Sequence, residues 1–175
     1  MIILPTTYLG SSDWYKQYFA NSNNVLIEAM ESFSKQTYRN RSTITTPDGP
    51  LTLSVPVRRA DSKQLTRDVE ISYQQRWQHQ HWIALVSAYK RTPYFDYYAD
   101  YFRPFYEKET KFLVDLNNGL HDVIVSLIQN NATITQQHTP LTREWMGQDL
   151  EQKFGGKTSI LDLLFEWGPE TIIKI

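Results

Sequence analysis

The chain has 175 residues, enough for one core that buries about two thirds or more of the surface its unfolded form exposes. Lys and Arg number 18 against 19 Asp and Glu, a balance that argues against a general nucleic-acid or membrane-surface binder and leaves room only for local anion affinity. Cysteine is absent, which excludes disulfides, thiolate nucleophiles and Cys-based zinc or iron–sulfur sites.

The opening Met-Ile-Ile-Leu stops at Pro5, far short of a signal-peptide core, and no later stretch approaches a membrane span, so a cytoplasmic protein with no membrane insertion is expected. Residues 2–4 read as a short strand. Ser11-Ser12-Asp13 can cap a helix that carries Trp14, Tyr15, Tyr18 and Phe19 at helical spacing, broken by Asn23-Asn24. Residues 25–29 read as a second strand, parallel to the first, with Glu28 near its end. In open α/β sheets that position is often functional.

Pro47-Asp48-Gly49 is a turn triplet between apolar-alternating runs at 42–46 and 51–57, the clearest hairpin in the chain. Leu51, Leu53, Val55 and Val57 share one face of the second run, and Val69, Ile71 and Tyr73 alternate as a further short strand.

From Arg76 the period becomes helical, with Trp82, Leu85, Val86 and Tyr89 in one stripe. Thr92-Pro93 then opens an aromatic helix whose Tyr94, Tyr98, Tyr101 and Phe105 are expected in the core, with Tyr97 or Tyr98 at a pocket edge as the functional variant. A longer helix over 110–129 carries Leu113, Leu116, Leu120, Val123 and Leu127 inward. Near the end, Ser159 and Asp162 resemble a capping pair, Gly168-Pro169 stops that helix, and 171–175 reads as a terminal strand. Polar stretches at 58–67 and 130–138 read as loops.

The expected architecture is a single domain over residues 1–175 of mixed α/β (α+β) class. An N-terminal β-α-β unit and the antiparallel hairpin share one sheet, packed against three to four helices from the C-terminal half.

Two constellations carry chemistry. Lys35-Gln36-Thr37-Tyr38-Arg39-Asn40-Arg41 is dense in donors suited to phosphate or carboxylate, within a stretch of seven basic residues against Asp48 and Asp61 between 35 and 67. An anionic small molecule suits that local excess better than a long polyanion; a solvated arginine-bearing loop is the plainer alternative. In Trp77-Gln78-His79-Gln80-His81-Trp82, two histidines two apart on a helix point about 200° apart and cannot share a metal.

His81 lies beside the apolar stripe, so it can be partly buried and act as general base or acid, with Glu28 orienting its second ring nitrogen. A structural histidine joining helix to sheet is the alternative. Ser54 and Ser87 lack a nucleophile-elbow setting, and no phosphate-binding or dinucleotide loop motif is present. No cofactor or metal is expected. Asn131-Ala132-Thr133 matches a glycosylation sequon, which carries no weight without secretion.

Several pieces together resemble the WbqC-like protein family in its shorter bacterial form: Tyr8-Leu9, Lys35 to Arg41, Leu53-Ser54-Val55-Pro56-Val57, Trp77 with His81-Trp82, Ser87-Ala88-Tyr89, Pro93-Tyr94-Phe95, and Ser159 to Phe165 before Gly168-Pro169. The resemblance implies a place beside O-antigen and other surface-polysaccharide genes. It also implies one suggested role, transfer of glycine or another amino acid onto a sugar. Longer members are similar to a His-Gln-Pro-Asn-Tyr-Leu-Pro start, where this chain has Leu4-Pro5-Thr6-Thr7-Tyr8-Leu9-Gly10, so Leu4 replaces the histidine. Glu28 stands where the family is similar to an aspartate.

On that footing the expected activity is acyl or aminoacyl (glycine-type) transfer to a nucleotide- or lipid-linked sugar, the ligand being a nucleotide sugar or other phosphate-bearing donor. Arg39 and Arg41 would grip the anion, Tyr38 and Asn40 donate to developing oxyanion charge, His81 take the proton and Glu28 orient it. Tyr8, Lys35, Trp77 and Trp82 complete the expected binding set. The missing histidine favours the alternative, a non-catalytic anionic-ligand-binding or assembly protein. An RNA-binding role is weaker on charge.

Overall fold

A computed structural model describes residues 2–21, 24–58, 63–129 and 158–175. Strand β1 (Ile2–Pro5) and strand β2 (Val25–Glu28) pair in parallel, with Ile2 opposite Val25 and Pro5 opposite Glu28. Parallel neighbours need a crossover, supplied by helix α1 (Ser12–Ala20). Its start is encoded locally: the Ser11 hydroxyl accepts the Trp14 N–H, and Asp13 sits in the first turn.

Between β1 and α1, residues 6–10 are all buried without regular structure, so each backbone polar group needs its own partner. Thr6 N–H donates to the Glu28 carbonyl and Tyr8 N–H to the Tyr38 carbonyl. The Leu9 carbonyl accepts the hydroxyls of Ser42 and Ser159. Leu9 has a φ of 47°, a left-handed conformation unusual for a branched side chain, and the core packing of that side chain holds it there.

Strand β3 (Arg41–Thr46) and strand β4 (Gly49–Ser54) form the expected hairpin, with Gly49 at a φ of 112° closing the turn. Leu53 and Val55 are buried as read from their alternation, while Leu51 lies towards the hairpin tip and is exposed. The mixed α+β class stands, but the single sheet does not: β1–β2 and β3–β4 are separate two-stranded ladders. The buried 6–10 segment and residues 158–160 come between them, and the latter bond to both sides through Ser159 N–H to the Thr43 carbonyl and Ile160 N–H to the Gly10 carbonyl. Val69 and Ile71 are buried, yet 69–73 forms only isolated bridges, Ile71 with Val57 and Glu70 with Phe112.

Helix α2 (Trp77–Tyr89) buries Trp77, His81, Leu85 and Tyr89, one residue per turn, with Trp82 and Val86 half-buried beside them. Thr92 does not cap the next helix; its hydroxyl donates to the Tyr89 carbonyl, and helix α3 runs Phe95–Phe102. The aromatic stripe lies only partly in the core, with Tyr94, Tyr98 and Phe105 half-buried and Tyr101 exposed. Phe95 and Phe102 are buried, whereas Tyr97 is 74% and Tyr101 56% exposed. With rings on every side of the helix, the phenylalanines go inward because a tyrosine hydroxyl tolerates water.

Helix α4 (Pro104–Glu107) begins at the proline that ends α3, and helix α5 (Leu113–Gln129) carries the expected core face, with Leu113, Leu116, Leu120 and Leu127 buried and Ile124 and Ile128 added. Helix α6 (Leu161–Trp167) leads into a 3-10 turn at Gly168–Glu170 and helix α7 (Thr171–Lys174). The terminal strand expected at 171–175 is therefore a helix. Pro169 presets the turn and the Thr171 hydroxyl donates to the Leu163 carbonyl, winding the chain back onto α6. Gly168 has a φ of 52°, and a Cβ there would lie 2.4 Å from the Tyr94 ring, so glycine is required twice over.

Ser159 caps the start of α6, its hydroxyl accepting the Leu161 N–H, while Asp162 makes longer-range ties instead of reaching back to it. Ser159 donates to Leu9, and the Asp162 carboxylate accepts the Thr45 hydroxyl at 2.6 Å and the Tyr89 hydroxyl at 2.5 Å. The loop expected at 130–138, its sequon, and residues 59–62 lie outside the described residues.

Candidate functional site

The buried 6–10 segment places Tyr8 against α2 and α4. Its hydroxyl lies 2.8 Å from His81 Nδ1 and 2.9 Å from the Tyr106 hydroxyl, all three side chains being buried. The backbone of Ser54 also faces the His81 ring and favours its protonated form. A carbonyl can only accept, so the ring nitrogen facing Ser54 carries the hydrogen and Nδ1 is left as acceptor. With Nδ1 as acceptor, Tyr8 donates to His81 and Tyr106 to Tyr8.

Burial pushes the His81 pKa down to about 4, with the Ser54 backbone opposing, so the ring is neutral at pH 7. The Tyr8 hydroxyl is raised well above its ordinary range, first by burial and then by Tyr106. Tyr8→Phe leaves His81 Nδ1 without its donor and Tyr106 without its acceptor; a loss of about 2 kcal/mol or more is expected in urea unfolding at neutral pH.

Ser54 ties this chain to a cation. Arg41 pairs with Ser54 across the hairpin, and its Nε donates to the Ser54 hydroxyl at 3.3 Å. Arg41 is half-buried and has no carboxylate partner among the described residues.

Arg39 is placed differently. Its Nε meets Glu31 at 2.5 Å, its Nη1 donates to the Thr37 hydroxyl, and its guanidinium lies over the Tyr38 ring. Asn40 is buried: its amide donates to the Val55 carbonyl at 2.9 Å and its Oδ1 has no hydrogen-bond partner. Its amide braces the loop against the hairpin. Asn117 on α5 braces the same loop, donating to the Arg39 carbonyl and the Thr6 hydroxyl.

The remaining expected residues scatter. Tyr38 is half-buried and holds Tyr8 through its backbone. Trp77 is buried against the His81 ring, centroids 5.1 Å apart, with its Nε1 unpartnered. Trp82 is half-buried against Tyr106, and Lys35 is fully on the surface. Glu28 does not orient His81: its carboxylate accepts the Met30 N–H, and His81 Nδ1 is taken by Tyr8. Leu4 is buried in the core.

Three members of the cluster were not singled out from the sequence: Ser54 as the hinge between ring and guanidinium, Tyr106 as the head of the chain, and Asn117. Nothing local distinguishes them, since each acquires its role from a partner at least 13 residues away.

A second buried imidazole, His121, sits on α5 among Trp14, Tyr15 and Tyr18. Tyr15 reaches its Nδ1 at 3.2 Å, the Tyr18 and Trp14 rings stand edge-on, and Nε2 has no hydrogen-bond partner. Burial lowers its pKa to about 4. Among the described residues no group of three or more His, Cys, Asp or Glu is arranged to hold a metal, and no helix is long and apolar enough to cross a membrane.

Fold and cluster define a mixed α+β protein with a phenol–imidazole chain next to a guanidinium that has no carboxylate partner among the described residues. The sequence model of the WbqC-like protein family matches residues 8–145, most of the chain, and the protein belongs to that family. The resemblance at Ser159 to Phe165 falls outside the matched span. No curated protein and no solved structure matches the chain.

Proposed function

We propose that the protein is a surface-polysaccharide transferase that moves an acyl or aminoacyl group onto a nucleotide- or lipid-linked sugar. Family membership supports the pathway. The observation that carries the site is Arg41, a half-buried cation without a carboxylate partner among the described residues, bonded to the Ser54 whose backbone faces a neutral imidazole. Arg41 holds the phosphate or carboxylate of the ligand through the nitrogens that Ser54 leaves open.

His81 is the proton acceptor. Because Tyr8 fills Nδ1, the proton from the acceptor hydroxyl or amine passes to the Tyr106 oxygen, the Tyr106 proton to Tyr8 and the Tyr8 proton to Nδ1. Arg39 and Glu28 are left out of this reading because both are engaged within the fold.

A second reading, a non-catalytic binding or assembly protein, is favoured by one fact: the His81 ring is buried and its Nδ1 already has a partner inside the chain. Thermal unfolding separates the two, since a ligand that binds the native state raises Tm by mass action. Nucleotide sugars, aminoacyl donors and inorganic phosphate are tested on the wild type and on Arg41→Met. Stabilisation by both a donor and an acceptor class, with the anion's share lost in Arg41→Met, supports the enzyme. Stabilisation by a single anion supports the binder, and shifts unaltered in Arg41→Met remove the site.

A further inference from the structure

Large apolar side chains exposed among the described residues are Leu51, Ile83, Tyr97, Tyr101, Trp167, Ile172 and Ile173, and the last five of these seven belong to α3 and the α6–α7 hook. The two elements touch. Tyr94 N–H donates to the Phe165 carbonyl, and the Tyr94 ring lies directly over Gly168. Tyr97 stands beside Tyr94, ring centroids 6.5 Å apart, and so continues the rings of α3 towards Gly168 and Trp167, with Ile173 at 77% and Tyr97 at 74% exposure. Scattered apolar residues need no explanation, but a joined aromatic and aliphatic patch marks an interaction surface.

The charge around the patch selects its occupant. Asp96 and Asp100 interleave with the tyrosines of α3, and Glu166 and Glu170 flank Trp167; all four are exposed and none has an ion-pair partner among the described residues. The one cation on these two elements is Lys174, and its Nζ sits 4.0 Å from the centre of the Trp167 ring. The face thus already holds a cation on an aromatic surface, the geometry that attracts lysine and arginine to π-systems.

We propose that the α3 and α6–α7 face docks a basic, apolar-faced segment of another protein. A second copy of this chain would set carboxylates against carboxylates, and an anionic polymer or lipid surface would meet the same repulsion. The face does not include Arg41 or His81, so the proposal stands apart from the transferase reading.

The test uses two synthetic amphipathic helical peptides with the same leucine–tryptophan face, one with lysine and arginine opposite, the other with glutamate. Binding to the full chain is followed by titration calorimetry and sedimentation. The cationic peptide is expected to bind at least ~10-fold more tightly than the acidic one, and to weaken by a similar factor at high salt. Tyr97→Ser/Tyr101→Ser should cost about tenfold or more in that affinity. Both tyrosines are exposed, so this variant keeps its fold.

Equal binding of both peptides, affinity unchanged in the double tyrosine variant, or no binding at all would each overturn the proposal. So would a concentration-dependent dimer that the same variant dissociates, since the occupant would then be a second copy.

Discussion

Acidification from pH 7 to pH 4 is expected to remove much of the stability of this protein, and two imidazoles are responsible. His81 and His121 both have pKa values lowered by burial to about 4, against 6.5 for the free side chain. Between those values the unfolded chain binds a proton at each ring that the folded chain does not. Stability therefore rises with pH through this window and, for these two groups, is level above about pH 7 and below about pH 4. Each shift corresponds to about 3 kcal/mol, so the pair approaches the lower end of the ~5–15 kcal/mol that holds a domain folded.

Urea midpoints measured from pH 7.5 to 4.5 should fall with a limiting slope near 2.7 kcal/mol per pH unit, the value for two protons. His121→Gln should halve the slope, whatever it does to stability at pH 7.5. Midpoints independent of pH across this range would mean that the rings are charged, or solvated, in the native state.

His81 and His121 also show what was legible in the chain. His81 was placed beside an apolar helical stripe by period alone, and it is buried there. The hairpin turn at Pro47 to Gly49, the Ser11 cap and the α5 core face were equally readable, because turn chemistry, capping and 3.6-residue periodicity act over a few residues. His121 was not singled out: it sits on a helix whose leucines dominate the pattern, and its aromatic surroundings arrive from α1, over 100 residues earlier.

The aromatic helix is only partly legible: Tyr98 and Phe105 pack against the core as their spacing implies, but spacing cannot rank tyrosine against phenylalanine, and Phe95 and Phe102 fill the interior while Tyr101 stays outside. The terminal Thr-Ile-Ile favours a strand by composition, but Pro169 and the tie from Thr171 to Leu163 make it helical. The single sheet failed for a similar reason. Nothing in Thr6 to Gly10 announces a buried irregular segment, since its backbone partners lie at Glu28, Tyr38, Ser42 and Ser159.

Arg39 and Arg41, two residues apart and equivalent in the sequence, are expected to separate cleanly on substitution. Arg39 is buried and paired with Glu31, their side chains only 9% and 15% exposed. Arg39→Met strands the carboxylate and should cost about 3 kcal/mol. Adding Glu31→Leu should recover part of that loss, because a pair replaced whole by apolar groups leaves no uncompensated charge.

Among the described residues the Arg41 side chain has a hydrogen bond to Ser54 and no carboxylate partner, so Arg41→Met should change stability by less than about 1 kcal/mol. Its effect falls on ligand binding instead: losing charge-assisted bonds to an anion should weaken inorganic phosphate or UDP by about 10- to 100-fold in calorimetric titration. Arg39→Met and Arg41→Met therefore form a crossed pair, the first moving the urea midpoint and the second the affinity. An Arg39→Met protein that folds as the wild type but fails to bind would hand the ligand to Arg39 and leave Arg41 as surface charge.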